Sequence, residues 1–108
     1  MVESVHPHEV VIRLRERPDH HVLLDVREPE EREIACIHPS LHIPLAEIPR
    51  RLAEIPRDKT VVVYCHHGSR SAMVAGFLEA MGFSRVANLE GGIDHWSRKV
   101  DPTIPRYG

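Results

Sequence analysis

One short stretch of the sequence combines a cysteine, two histidines, a glycine and an arginine directly after an apolar run. Residues 60–64 form the apolar run and Cys65 comes directly after it. The next five residues are His66, His67, Gly68, Ser69 and Arg70. A cysteine thiolate is a strong nucleophile, and the free N–H groups at the start of a helix stabilise it. We therefore predict that Cys65 is a reactive nucleophile at the base of an anion-binding loop formed by residues 66–70.

The residue types in this loop fit an anion cradle. Gly68 allows a tight turn with a positive φ, which would direct six or so backbone N–H groups towards one sulfur atom. Arg70 could bind an oxyanion, or could close the loop by bonding to carbonyl and carboxylate groups. His66 and His67 would flank the mouth of the loop and add hydrogen-bond donors. Such a cradle would stabilise negative charge on Cys65 or on a group attached to it.

The loop has no obvious general base, although His66 or His67 could serve as one. A stabilised thiolate needs no base when its electrophile is already activated, as a sulfur bonded to another sulfur is. Attack on a sulfane sulfur would leave a persulfide on Cys65, and a second nucleophile would remove that sulfur in a ping-pong cycle. The alternative is that Cys65 is only a small buried apolar residue. The glycine, serine and arginine that follow it favour the reactive interpretation.

Short apolar runs alternate with helical patterns along the chain, and these elements would position the loop. Strands are predicted at residues 4–6 (an edge strand or a lead-in), 21–27, 41–43, 60–64 and 86–89, with helices between them and a last helix after Gly92. One of these helices is expected to start close to residues 46–48 and to end before Pro56, because apolar residues recur there at helical spacing. The helix at 69–81 is apolar nearly all round and is expected to be well buried. This alternation predicts an α/β fold with a mainly parallel sheet and helices on both faces. Ligands bind beyond the carboxyl ends of such strands, where Asp25 and Arg27 also fall.

Composition limits the class of protein. The chain has 108 residues, of which 42% are apolar, so we expect one domain over residues 1–108 with an extended tail at 101–108. The net charge of -2 argues against nucleic acid or an anionic membrane as a partner. No apolar run approaches the roughly 20 residues of a membrane span, and the N-terminal residues do not resemble a signal peptide. We expect a cytoplasmic protein, in which Cys36 and Cys65 are free thiols.

The remaining polar residues suggest neither a metal nor a cofactor. Nine histidines include three close pairs, but adjacent histidines rarely point at one ion and no Cys/His spacing fits a structural zinc site. The acidic run at 28–33 is interpreted as a solvated helix start. Trp96 is expected in the core. The tail at 103–107 would pack either over the sheet edge or near the loop mouth.

Several sequence segments, taken together in their order and spacing along the chain, resemble the rhodanese family of sulfurtransferases. They are residues 23–31, 43–45, 63–71 and 88–92, together with Trp96. The resemblance implies a three-layer α/β/α domain with a five-stranded parallel sheet, Cys65 as the persulfide-carrying nucleophile and residues 66–70 as its binding loop. It also implies that Asp25 and Arg27 either brace this loop or contact substrate. Members that act on phosphate or arsenate carry one loop residue more than the four that separate Cys65 from Arg70.

The resemblance implies a thiosulfate sulfurtransferase that passes sulfur to cyanide or to a thiol. A second possibility is a non-enzymatic carrier module that a partner protein loads. A third, an oxyanion-binding or phosphatase-like domain, is disfavoured by the loop length. Cys36 stands where the family usually has a histidine, so it is either a structural thiol or an acceptor of sulfur from Cys65. The expected partners are a small sulfur donor such as thiosulfate and a thiol or protein acceptor.

Overall fold

Five parallel strands form one sheet in the computed structural model, which describes residues 2–108. They are β1 (Glu3–Val5), β2 (His21–Asp25), β3 (Leu41–His42), β4 (Thr60–Tyr64) and β5 (Val86–Leu89). The order across the sheet is β1-β5-β4-β2-β3, and every neighbouring pair is parallel. β4 therefore lies at the centre, and the prediction of an α/β fold with a five-stranded parallel sheet is confirmed.

Residues 2–108 contain four α-helices, of which three lie between strands and the last follows β5. They are α1 (Pro7–Glu16), α2 (Pro29–Ile34), α3 (Ser69–Ala80) and α4 (Gly92–Lys99). The predicted α-helix near residue 46 is wrong, because this segment forms two 3₁₀ turns, Leu45–Arg50 and Leu52–Glu54. Pro49 lies inside the first turn. A proline has no N–H to donate and crowds the preceding turn, so a regular α-helix is disfavoured there.

The sheet separates two apolar clusters, and β4 contributes to both. Val61 and Val63 pack with α3 and the 3₁₀ turns on one face. Val62 and Tyr64 pack with α1 and α4 on the other face. Side chains along a strand alternate between faces, so a strand covered on both sides is apolar throughout. The central strand is thereby held on both faces up to Tyr64, one residue before Cys65.

α3 is less buried than its sequence predicts. Its buried side chains are Ser71, Val74, Ala75 and Leu78, which form a stripe along one face. Met73 is 67% exposed on the other side. The expectation of a helix buried all round is therefore wrong, because α3 covers one face of the sheet and nothing covers its outer side among residues 2–108.

The residues after α4 return to the side of the domain where the carboxyl ends of the strands lie. Trp96 is buried in the core, as predicted. The tail is not extended from its start, since Asp101 accepts hydrogen bonds from the backbone and hydroxyl of Thr103 and forms a turn. Beyond this turn the chain reaches the loop mouth and not the sheet edge, with the Tyr107 ring stacked on His66. None of the helices in residues 2–108 has the length and apolarity to cross a membrane.

Candidate active site

Cys65 lies at the carboxyl end of β4 and is 1% exposed. Its carbonyl accepts a 2.9 Å hydrogen bond from the N–H of Ile93, and the carbonyl of His66 accepts one from Asp94 at 3.1 Å. Both donors belong to the first turn of α4, which therefore supports the loop from behind. A side chain at Gly92 would place its Cβ 2.4 Å from the His66 carbonyl, so only a glycine permits this close approach.

Three donors surround the sulfur of Cys65. The backbone N–H of Gly68 lies 3.1 Å from Sγ, and the backbone N–H and hydroxyl of Ser71 each lie at 3.3 Å. The expectation of six or so N–H groups is wrong for residues 2–108, where two backbone N–H groups reach the sulfur. Gly68 has φ 110°, as its role in the turn requires. The arrangement stabilises a thiolate or another small anion at this position.

Ser71 and Asn88 complete the site, although neither was among the site residues predicted from the sequence. The single hydroxyl proton of Ser71 has three acceptors in reach, namely Cys65 Sγ, the Gly68 carbonyl at 3.2 Å and Asn88 Oδ1 at 2.5 Å. Asn88 Nδ2 donates to the Gly68 carbonyl at 3.2 Å, which fixes the direction of its amide. The position of Ser71, in the first turn of the helix after Gly68, was a signal that could have identified it.

Glu31 binds Arg70 with two hydrogen bonds of 2.6 and 2.8 Å. Arg70 therefore closes the loop through a carboxylate, which is one of the two roles considered from the sequence. The hydrogen bonds from Arg70 do most to lower the pKa of Glu31, burial opposes them, and the Tyr107 hydroxyl adds to the decrease, with a net pKa of about 2. The interpretation of residues 28–33 as a solvated helix start is wrong for Glu31, because its side chain turns towards the loop 39 positions along the chain.

Asp25 and Arg27 form a fully buried ion pair beneath the loop. Arg27 donates to both carboxylate oxygens of Asp25 at 2.9 and 2.8 Å, and its remaining donors reach Ala35, Glu31 and Tyr107. Burial opposes ionisation of Asp25, but the hydrogen bonds and charge of Arg27, together with a hydrogen bond from Arg32, outweigh it and lower the pKa. Both side chains are 0% exposed. This burial favours bracing of the site over contact with substrate.

His66 and His67 lie on the mouth of the loop. His66 Nε2 donates to the carbonyl of Tyr107 at 2.8 Å, since a carbonyl can only accept. The side chain of His67 is 64% exposed, with Nε2 3.9 Å from Asp94. Tyr107 is a site residue that sequence reasoning did not identify, although it left open that the tail reaches the mouth. Burial raises the pKa of its hydroxyl to about 12.

Two groups of potential metal ligands come together in the fold. The ligand atoms lie within 4.8 Å of one another in the groups His66, His67, Asp94 and His6, Glu90, His95. Asp94 is already bound by Arg106 at 2.8 Å, and His6 Nδ1 accepts the backbone N–H of His8 at 3.1 Å. Each group therefore has at least one ligand residue engaged elsewhere, and we assign a metal to neither.

Cys36 lies between two residues of the apolar cluster beneath α1 and α4. Its Sγ is 3.0 Å from His38 Nε2, and its neighbours Ala35 and Ile37 are buried. Cys36 and Cys65 are both free thiols, as predicted. No hydrogen bond joins the two sulfurs among residues 2–108.

Comparison with known proteins identifies the family. The model of the rhodanese-like domain matches residues 7–99. A sulfurtransferase of Allochromatium vinosum is 37% identical over 108 residues, which span 100% of both chains. A putative sulfur carrier protein, YrkF of Bacillus subtilis, is 39% identical over 79 residues, which cover 73% of this chain and 43% of the relative.

A solved structure gives the same assignment at the level of the fold. The crystal structure of a rhodanese-related protein from Thermoplasma volcanium superimposes with a TM-score of 0.81 and 32% identity, over 97% of this chain and 99% of that one. Sequence match, full-length relative and architecture agree. The chain belongs to the rhodanese-like domain family of sulfurtransferases.

Proposed function

We propose that this protein transfers sulfane sulfur through a persulfide on Cys65. The Cys65 thiolate attacks the outer sulfur of thiosulfate, a new S–S bond forms, and sulfite leaves with the electron pair of the broken bond. Cyanide or an acceptor thiolate then attacks the outer sulfur of the persulfide. The bond to Cys65 breaks, its electron pair returns to Sγ, and thiocyanate or a new persulfide leaves.

The observation that carries this proposal is the set of donors around Cys65 Sγ. The backbone N–H groups of Gly68 and Ser71 stabilise the thiolate both before attack and after release of sulfur. None of these steps requires a general base at the sulfur, because the nucleophile reacts as an anion with an activated sulfur. The site therefore suits exchange between sulfur atoms.

Intact-mass measurement tests the proposal directly. Pure protein is mixed with thiosulfate, and its mass is recorded before and after cyanide is added. We expect a gain of one sulfur atom that cyanide removes, with no gain in Cys65→Ser. Cys36→Ser is the matched control and should keep most of the loading, since the hydrogen bond of the Cys36 sulfur goes to His38 and not to the Cys65 loop. Absence of sulfur on Cys65 with every donor would exclude the proposal, and a large loss in Cys36→Ser would restore a relay between the cysteines.

The charge at the mouth supports a second candidate, a carrier module loaded by a partner protein. Arg70 is bound by Glu31, and Arg106 is bound by Asp94, so neither cation is free to attract a dianion such as thiosulfate. One relative carries the name of a putative sulfur carrier protein. Loading by a persulfidated protein but not by thiosulfate, in the same mass measurement, would favour the carrier. Loading by thiosulfate with repeated turnover would favour the enzyme.

A further inference from the structure

The tail beyond α4 crosses the mouth of the Cys65 loop, and three contacts hold it on the side of His66 and Asp94. Arg106 forms an ion pair with Asp94 at 2.8 Å. The Tyr107 carbonyl accepts a hydrogen bond from His66 Nε2 at 2.8 Å. The Tyr107 ring stacks on the ring of His66, with centroids 4.0 Å apart and planes 8° from parallel. We call residues 105–108 the strap.

The hydroxyl of Tyr107 reaches the opposite side of the loop. It donates to Glu31 Oε2 at 2.7 Å and accepts from Arg27 Nη1 at 2.9 Å. Because the same Glu31 carboxylate holds Arg70, Tyr107 connects His66 and Arg70, the first and last residues of the loop. The side chain thus spans the opening above Cys65.

The exposure of the loop agrees with such a cover. Cys65 is 1% exposed, whereas the side chain of His67, two residues further, is 64% exposed. A reactant that approaches the sulfur between His66 and Arg70 must therefore pass the ring of Tyr107. A slender reactant needs a small displacement of the ring, and a bulky one needs release of the strap.

We propose that Tyr107 is the specificity-determining residue of this site and selects sulfur donors and acceptors by their width. The strap in its observed position admits compact reactants such as small persulfides and excludes wide ones. Its contacts are hydrogen bonds, one ring stack and one ion pair at the surface, and such peripheral segments open locally without global unfolding. The inference rests on the proposed reaction at Cys65, although the closure of the mouth can be measured without any sulfur transfer.

Alkylation of Cys65 measures the width of the mouth. The experiment uses protein with the Cys36→Ser substitution, so that Cys65 is its one thiol. This protein reacts in separate runs with N-ethylmaleimide and with a maleimide attached to a bulky polyethylene glycol chain. The two reagents share their chemistry and differ in size. In Tyr107→Ala we expect the rate constant for the bulky maleimide to rise about tenfold and that for the small one to rise far less, since opening no longer limits access.

Tyr107→Phe is the matched variant. It keeps the ring on His66 and removes the hydrogen bonds to Glu31 and Arg27, so its rate ratio should fall between those of the parent protein and Tyr107→Ala. Arg106→Ala loosens the strap without touching the ring and should shift the ratio in the same direction. An equal acceleration of both reagents would mean that Tyr107 only supports the loop, and this outcome, like unchanged rates, would overturn the proposal.

Sulfur loading separates this inference from the proposed function. If Cys65 accepts sulfur from no donor but the alkylation ratio changes as expected, the proposed reaction is wrong and the selection by width stands. If Cys65 accepts sulfur and Tyr107→Ala leaves the preference between small and bulky persulfides unchanged, the reaction stands and Tyr107 does not select.

Discussion

Glu31 decides how much positive charge the loop presents to a reactant. Its carboxylate holds both terminal nitrogens of Arg70, and it is itself hydrogen-bonded by Tyr107. A bidentate pair of this kind fixes the guanidinium in one orientation. Arg70 in this state closes the loop but contributes little attraction for an anion. The choice of sulfur donor at this site therefore depends on a residue outside the loop.

Glu31→Gln should increase the use of thiosulfate. The variant leaves Arg70 with an uncompensated charge, and one unit charge near a surface site changes dianion binding by about fivefold or more. We expect a lower KM for thiosulfate in a cyanide assay. The loss of charge also loosens Tyr107, so a small uncharged trisulfide is the reference donor, and its KM should change less.

Glu30→Gln is the matched control for this experiment, because Glu30 is exposed on the same helix. It should leave the KM for both donors unchanged. Equal KM values for thiosulfate in the Glu31 variant and the parent protein would show that Arg70 does not contact the anion.

Some residues of the site are neighbours of Cys65 in the sequence, and others are distant in the sequence and reach the site only through the fold. Cys65 and its loop could be predicted, because a strand, a glycine and a helix start are adjacent in sequence and their geometry is local. Glu31 and Tyr107 could not, since they reach Arg70 and His66 only through the fold, 39 and 41 positions away. An acidic run at a helix start is usually solvated, and nothing local marks one of its members as a partner.

At the scale of elements, the turn between β5 and α4 sets the position of the loop. Gly91 and Gly92 both have positive φ, at 73° and 63°. The first N–H groups of α4 point at the carbonyls of Cys65 and His66, so this helix start is occupied by the chain itself. The start of α3 is the one that faces the Cys65 sulfur.

Gly92→Ala should damage the site more than the fold. The new Cβ would lie 2.4 Å from the His66 carbonyl and 2.5 Å from that of Cys65, so the loop must move. We expect at least a tenfold lower rate of sulfur loading on Cys65, since loss of one well-placed donor to a developing anion has effects of this order or larger. Stability should also fall, because φ 63° is strained for alanine.

Gly76→Ala in α3 is the contrasting substitution. Nothing lies within 4 Å of its added Cβ, so the change should raise the free energy of unfolding by roughly 0.5–1 kcal/mol and leave loading unchanged. Urea unfolding of both variants measures the two effects. A stable Gly92→Ala protein with normal loading would show that the close approach of this turn is not required.

The elements themselves were predictable where side-chain pattern and packing agree. β4 is apolar from Val61 to Tyr64 and is covered on both faces. For α3 the apolar pattern wrongly predicted burial all round, because the apolar side chain of Met73 lies on the solvent-exposed side of the helix. For residues 45–54 the helical spacing of apolar residues was real, but Pro49 converted the segment into 3₁₀ turns.

At the scale of the whole molecule, the folded state should lose stability in acid. Arg70 holds the pKa of Glu31 at about 2, below its ordinary 4.5. A depressed carboxyl pKa means that folding favours the ionised form. The contribution of Glu31 to the free energy of unfolding is fully present above pH 4.5 and is lost as the pH falls towards about 2. Asp25, whose pKa is lowered by Arg27, acts in the same direction.

Urea unfolding between neutral pH and about pH 2 measures this dependence, since linkage relates its slope to the protons taken up by the folded and unfolded states. Glu31→Gln removes one of the responsible groups. The difference in unfolding free energy between parent and variant should therefore shrink as the pH falls below the ordinary pKa of Glu31. Parallel curves for the two proteins would show that the ion pair with Arg70 does not form in solution.

The spatial order of the strands differs from their order in the sequence, so the sheet and the site cannot be completed in the order in which the chain is synthesised. β1 leaves the ribosome first, yet its partner is β5, with Val5 opposite Leu89. β2, β3 and β4 can pair as soon as residue 64 has emerged, but the donors from α4 to the Cys65 carbonyl follow much later, and Tyr107 later still. A nascent chain thus carries Cys65 without its cover. If the strap selects by width as proposed, the thiol is open to wide reactants until the strap docks, and the finished fold excludes them.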